Sequence, residues 1–229
     1  MDRPSGARRR DAPSPRLVGV SSNFIEMFAF DDGEGADEDS EREPPHRPPW
    51  FGPPEDELGA AVPLGLVIAR SDKGVVALSH AIVYSSGLTL DVIAAARGLS
   101  NSQSNRLFHE QHVFEEGEEP PSGFLRIGLE LPDGERVSNL GGRMGRRFMK
   151  PDEEPDGPVF MPVGGGGGSG GQGRVRMNPA FWLWPRPEAG AMRVFCEWPV
   201  LEISLSTVEI DTAELLAAAE RIVSLWPSA

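Results

Sequence analysis

The chain has 229 residues, a formal charge of −13 and one cysteine, Cys196. A single cysteine excludes an internal disulfide framework, no run approaches the roughly 20 apolar residues that span a bilayer, and an acidic balance disfavours phosphate backbones, which need Lys and Arg to neutralise them. The expectation is a cytoplasmic protein with no membrane and no nucleic-acid partner.

Met1 to Arg16 is mainly Arg, Pro and Ser with little to bury, and reads as a disordered arm. Leu17 to Phe30 carries eight large apolar residues, with Phe24, Met27 and Phe28 at helical spacing. Leaving these in water is costly, so the segment is expected to dock on its own core or on a partner, with Phe24 and Phe28 as candidate contact residues. Asp31 to Glu57 holds eleven carboxylates against Arg42 and Arg47, together with a run of prolines. Burial cannot offset its ordering entropy, and residues 31–57 are expected to form a linker stiffened toward polyproline II.

Residues 58–229 are expected to form a single β-rich domain. Val62 to Arg70 and Val75 to Tyr84 flank Ser71-Asp72-Lys73-Gly74 and predict a hairpin, since Asp and Gly supply turn conformations between Val-, Ile- and Leu-rich runs. Alternation from Leu88 to Ala94 predicts a third strand. Asn101 to Glu119 is polar and ends in acids, so it reads as a surface insertion with at most two helical turns around Leu107 to Phe114. Phe124 to Leu131 and Glu135 to Leu140 predict a second hairpin around Pro132-Asp133-Gly134.

Residues 141–173 are Gly-rich, and because glycine loses most backbone entropy on ordering they are expected to be a flexible loop. Arg174 to Trp184 and Met192 to Trp198 predict a strand pair around Pro185 to Gly190, and Ser204 to Ile210 a final strand. Asp211 and Glu214 form a variant capping box that opens a helix. Its apolar face, Leu215, Ala219, Ile222, Val223 and Trp226, would run on until Pro227 stops it. The fold class expected is therefore mainly β: an antiparallel sandwich or strongly twisted sheet of about seven or eight strands, closed by one C-terminal α-helix. No strand-helix-strand repeat points to a doubly wound fold.

No catalytic constellation stands out. The glycine tract lacks the Gly-Lys-Ser/Thr ending and the following helix of a phosphate loop, which favours a linker over an anion site. His109 and His112, three apart, are weak metal candidates, because no further protein ligand is identifiable. Cys196 has the surroundings of a buried small hydrophobe, and a nucleophilic pair with His80 would need a base within reach and a lowered thiol pKa. Trp182, Trp184 and Trp198 belong to the densest aromatic group. Such a group is usually core, yet alternation in Ala180 to Trp184 would let one pair of side chains face outward as a binding surface.

The reading that follows is a non-catalytic binding or assembly module acting through an apolar or aromatic surface, with a protein partner or a second copy and no cofactor. The alternative is a hydrolase or other small-ligand enzyme using carboxylates such as Asp91 or Glu197, or histidine, in a sandwich pocket.

Overall fold

A computed structural model describes residues 47–111, 119–140, 153–164 and 168–226. These residues form two large antiparallel sheets packed face to face, with the main core between them, and a third sheet of two short strands. The first sheet runs β2 (Ala60–Arg70), β3 (Gly74–Val83), β4 (Leu88–Arg97), β10 (Ala180–Trp184) and β7 (Val159–Gly164). Its other end is completed by β9 (Arg174–Met177), which pairs with the end of β4, and by β8 (Gly168–Gly171), which pairs with β9. The second sheet is ordered β12 (Ile203–Asp211), β11 (Ala191–Trp198), β5 (Arg126–Glu130) and β6 (Arg136–Ser138).

Strict alternation sets the two layers. Val76, Leu78, Leu90, Val92 and Ala94 of the first sheet face Ile127, Leu129, Val194 and Cys196 of the second, all buried. Phe160 stacks on Phe181 with ring centroids 5.1 Å apart within the same core. Fully burying a side chain of this size is worth roughly 1.5–3 kcal/mol, so this interior dominates the stability of the domain.

Both expected hairpins form. Ser71 fastens the first turn, its hydroxyl donating to Leu201 O (2.6 Å) and accepting from Gly74 N (2.9 Å). In the second, Leu131 N donates to Glu135 O at 2.8 Å across Pro132-Asp133-Gly134.

The structure departs from the sequence reading in four places. Arg174 to Trp184 does not pair with the following strand. It is broken at Asn178-Pro179 into β9 and β10, both lie on β4, and the chain then crosses to the other sheet, where β11 pairs with β5 and β12. Val92 N donates to Pro179 O at 2.9 Å and bridges the break.

The Gly-rich stretch is structured where it is described. Residues 159–164 form β7 and residues 168–171 form β8, while 141–152 and 165–167 lie outside the described residues. A Cβ at Gly168 or Gly170 would sit 2.3 or 3.0 Å from the Phe108 ring, so these glycines are the price of close packing under a helix. The turn from β8 to β9 is Gln172-Gly173, both with positive φ (52° and 72°), as a two-residue hairpin of type I′ requires.

That packing helix is α1 (Asn101–Glu110), longer and earlier than expected. Ser100 caps it, accepting from Gln103 N (3.2 Å), while the Gln103 side chain accepts from Ser100 N (2.8 Å).

The C-terminal helix α2 (Thr212–Ala218) begins where expected, with Asp211 accepting from Ala213 N at 2.9 Å, and buries Leu215 and Ala218 against the core. It stops eight residues early. After the 3-10 turn Ala219–Arg221, Ile222 is extended, and β13 (Val223–Ser224) pairs with β1 (Glu57–Leu58). Val223, Leu225 and Trp226 are consequently exposed instead of lying on a buried helical face.

Candidate functional site

The two faces of the first sheet have different fates, and the difference locates the site. Its inner face is core throughout. Half of its outer face is sealed by a second apolar cluster of Met161, Trp182 and Trp184, capped by Trp50 and Tyr84. Trp50 meets Trp184 edge to face at 5.6 Å, Tyr84 meets Trp182 in the same way at 5.8 Å, and Trp182 Nε1 donates to Pro49 O at 3.0 Å. Pro49 and Trp50 lie in a 3-10 turn, Pro49–Phe51, inside the span expected to be linker. Burial is the first cause of the raised Tyr84 phenol pKa, with the Asp91 and Glu57 carboxylates adding to it.

Neither pair in Ala180 to Trp184 faces water: Phe181 and Leu183 enter the main core, while Trp182 and Trp184 enter the second cluster. Trp198 is fully buried, with Nε1 donating to Gly123 O at 2.8 Å. All three tryptophans put forward as a binding surface are thus packing residues in this domain. Phe24 and Phe28 lie outside the described residues.

The other half of the outer face is an open cleft of about 820 Å³. Five cationic side chains line it, Arg70, Lys73, Arg97, Arg174 and Arg176, and its lining contains no carboxylate. Strand pairing explains how residues so distant in sequence converge. Arg70 is opposite Val75, Val75 opposite Ala95, Ala95 opposite Arg176, and Arg176 opposite Ser169. Directly paired residues share a face, so this row places two arginines on either side of a floor of short side chains. Two residues further along, Arg97 is directly opposite Arg174. The row between them, Ala96 opposite Val175, is buried on the inner face.

Like charges paired directly across strands are destabilising, and these are not neutralised from nearby. Lys73 pairs with Glu202. Among the described residues, no carboxylate pairs with the four arginines. Arg97 Nε donates to Asp72 O (2.9 Å) and Arg176 Nε to Asn178 Oδ1 (3.3 Å), both neutral acceptors that leave the guanidinium charge in place. The backbone under them is firm: Arg97 N donates to Lys73 O at 2.8 Å and Leu99 N to Gly173 O at 3.1 Å.

The other sequence candidates are not brought together. Cys196 is buried in the main core, and burial pushes its thiol pKa up to about 12, the opposite of an activated nucleophile. His80 is on the outer face of the first sheet, with Nε2 3.5 Å from Asp91 Oδ2 and Nδ1 3.1 Å from Ser79 Oγ, so it does not address Cys196. Asp91 and Glu197 sit on the outer faces of opposite sheets, since their neighbours Leu90, Val92, Cys196 and Trp198 are buried. Glu197 is held by Arg126 at 2.6 Å. His109 is exposed in the last turn of α1, and His112 lies outside the described residues.

Sequence reasoning missed the cleft because its five cations come from three separate stretches, 70–73, 97 and 174–176, inside an acidic chain. The available signal was Arg174-Val175-Arg176, whose alternation puts two charges on one face of a strand.

Compared with known proteins, the chain matches no family model, no curated protein and no solved structure.

Proposed function

We propose that this domain is a non-catalytic binding module of the cytoplasm whose ligand is an anion held in the cleft at the end of the first sheet. One observation carries the reading: four arginines that pair with no carboxylate among the described residues, joined by Lys73, line a cleft floored by Val75 and Ala95. Arginine presents a planar fork of donors that matches phosphate and carboxylate oxygens, and such charge-assisted hydrogen bonds are the strong ones. A cluster of like charges without counterions is unfavourable until an anion enters, which favours ligand capture over a purely structural role. The cytoplasmic setting rests on the lone buried thiol and the acidic composition.

Isothermal titration of the full chain with inorganic pyrophosphate in a low-salt, phosphate-free buffer tests the reading. Binding should weaken as NaCl rises, because each exposed charge pair is screened. The double variant Arg97→Gln, Arg174→Gln should bind more than about tenfold more weakly, given roughly 1.5–3 kcal/mol for each hydrogen bond to a charged group. Wild-type protein that takes up no pyrophosphate at millimolar concentration, or a double variant that binds as well as wild type, would refute it.

A further inference from the structure

The charge in the cleft is confined to one end of a longer surface. On the same outer face, the next row inward is Val67 opposite Ala77 and Ala77 opposite Ile93. None of these three carries charge, and none is fully buried: Val67 is exposed, while Ala77 and Ile93 are half-buried. The outer face of β4 therefore reads, from its end, Arg97, Ala95, Ile93, with Arg174 of β9 beside the first, Arg176 beside the second and an apolar strip of β2 and β3 beside the last. Arg97 to Ile93 is four residues, roughly 13 Å along a strand. Arg70 on β2 and Arg176 on β9 are separated by three strand spacings, roughly 14 Å. The floor between them is Val75 and Ala95, whose short side chains leave the sheet face open toward the row of Ala77 and Ile93.

We infer that the ligand is a nucleotide, with its phosphate groups on Arg97, Arg174 and Arg176 and its ring system over Ala95, Ala77 and Ile93. The inference rests on the anion-binding reading and adds the chemistry of the rest of the molecule. A bare inorganic anion would leave the apolar strip unused, whereas a molecule with anionic groups at one end and a flat, weakly polar body uses both. The cleft of about 820 Å³ is lined by the cations with Val75 and Ala95, and the uncharged strip of Ala77 and Ile93 continues the same sheet face beyond it. A long nucleic acid fits less well, because the cleft offers five cations to neutralise its phosphates.

The test compares ligands on the full wild-type chain by isothermal titration: inorganic pyrophosphate, the diphosphates ADP, GDP, CDP and UDP, and a 20-nucleotide single-stranded RNA. Pyrophosphate carries at least as much negative charge as a nucleoside diphosphate, so tighter nucleotide binding cannot come from charge alone. At least one diphosphate should bind tenfold or more tightly than pyrophosphate. Ile93→Ser, checked for an unchanged melting temperature, should weaken that nucleotide several-fold and leave pyrophosphate unaffected. If no diphosphate exceeds pyrophosphate, the nucleotide inference fails while the anion-binding reading stands. If neither pyrophosphate nor any diphosphate binds, the anion-binding reading itself fails. RNA binding more tightly than every diphosphate would overturn the single-nucleotide inference in favour of an extended chain.

Discussion

Arg174→Thr should make the domain more stable and less able to bind. Arg174 faces Arg97 directly across the β4–β9 pair and shares its face with Arg176 two residues along. With charges about 7 Å apart in a water-like dielectric, each pair repels by about 0.6 kcal/mol, so removing Arg174 relieves about 1 kcal/mol. That figure agrees with the cost of like charges paired across strands, about 0.2–1 kcal/mol. Threonine is a good strand residue, so the backbone should not oppose the change. For a domain of this size about 1 kcal/mol corresponds to a rise of about 2–4 °C in melting temperature. The assay is thermal melting by circular dichroism in a phosphate-free buffer at 10 mM and at 1 M NaCl. The gain should appear at low salt and vanish at 1 M, where the screening length falls to about 3 Å. Pyrophosphate should raise the melting temperature of wild type more than that of the variant, because a ligand stabilises a fold in proportion to how tightly it binds. A variant that melts lower than wild type at low salt, or a gain that persists at 1 M NaCl, would refute the claim that these arginines repel one another for want of an anion.

Two further outcomes test the frame around the cleft. Gly168→Ala places a Cβ 2.3 Å from the Phe108 ring and should cost about 1–3 kcal/mol. Combining it with Phe108→Ala should restore part of that loss in a double-mutant cycle; a neutral Gly168→Ala would mean that β8 is not packed under α1. Glu130 is held by hydrogen bonding to Arg136 first of all, then by the charges of Arg136 (2.5 Å) and Arg193 (2.7 Å), which together keep its carboxyl below the usual range. A carboxylate with a depressed folded pKa stabilises above its unfolded value and loses that contribution as pH falls through the folded one. Glu130→Gln should therefore lower the melting temperature at pH 7 and make it less sensitive to acid below about pH 4, measured by melts across pH 2–7. An acid limb unchanged in the variant would assign it to other groups.

What the sequence made legible was local. The two hairpins announced themselves through Asp-Lys-Gly and Pro-Asp-Gly between alternating runs, because turn chemistry and strand period act within a few residues. The start of α2 was legible for the same reason at Asp211. Its end was not: Ile222, Val223 and Trp226 keep a helical period, but β1 offers a strand partner that no local pattern announces. The capping box of α1, Ser100 with Gln103, was in plain view but passed over, because the helix behind it has only Leu107 and Phe108 to mark an apolar face. Sheet assignment failed at β10 and β11 because adjacency along the chain favours pairing, whereas here the chain crosses between layers. Aromatic size points the tryptophans to a core, and alternation from Ala180 to Trp184, which leaves a second face open, cannot show that residues 49–51 return to cover it.

The contrast between the two halves of one sheet face is the strongest reason to treat the cleft as selected. Where the face carries Met161, Trp182 and Trp184, the chain supplies Trp50 and Tyr84 to exclude water, and large rings gain most from being covered. A second lid of that kind would have been as feasible over the other half, had its residues been large and apolar. They are instead Val75 and Ala95 under four arginines, a combination that no packed layer could cover without burying unpaired charge. The short floor residues also bury little area themselves, so leaving them open forfeits little hydrophobic stabilisation. Repulsion among the arginines is the larger loss, and it is the one that an anion reverses.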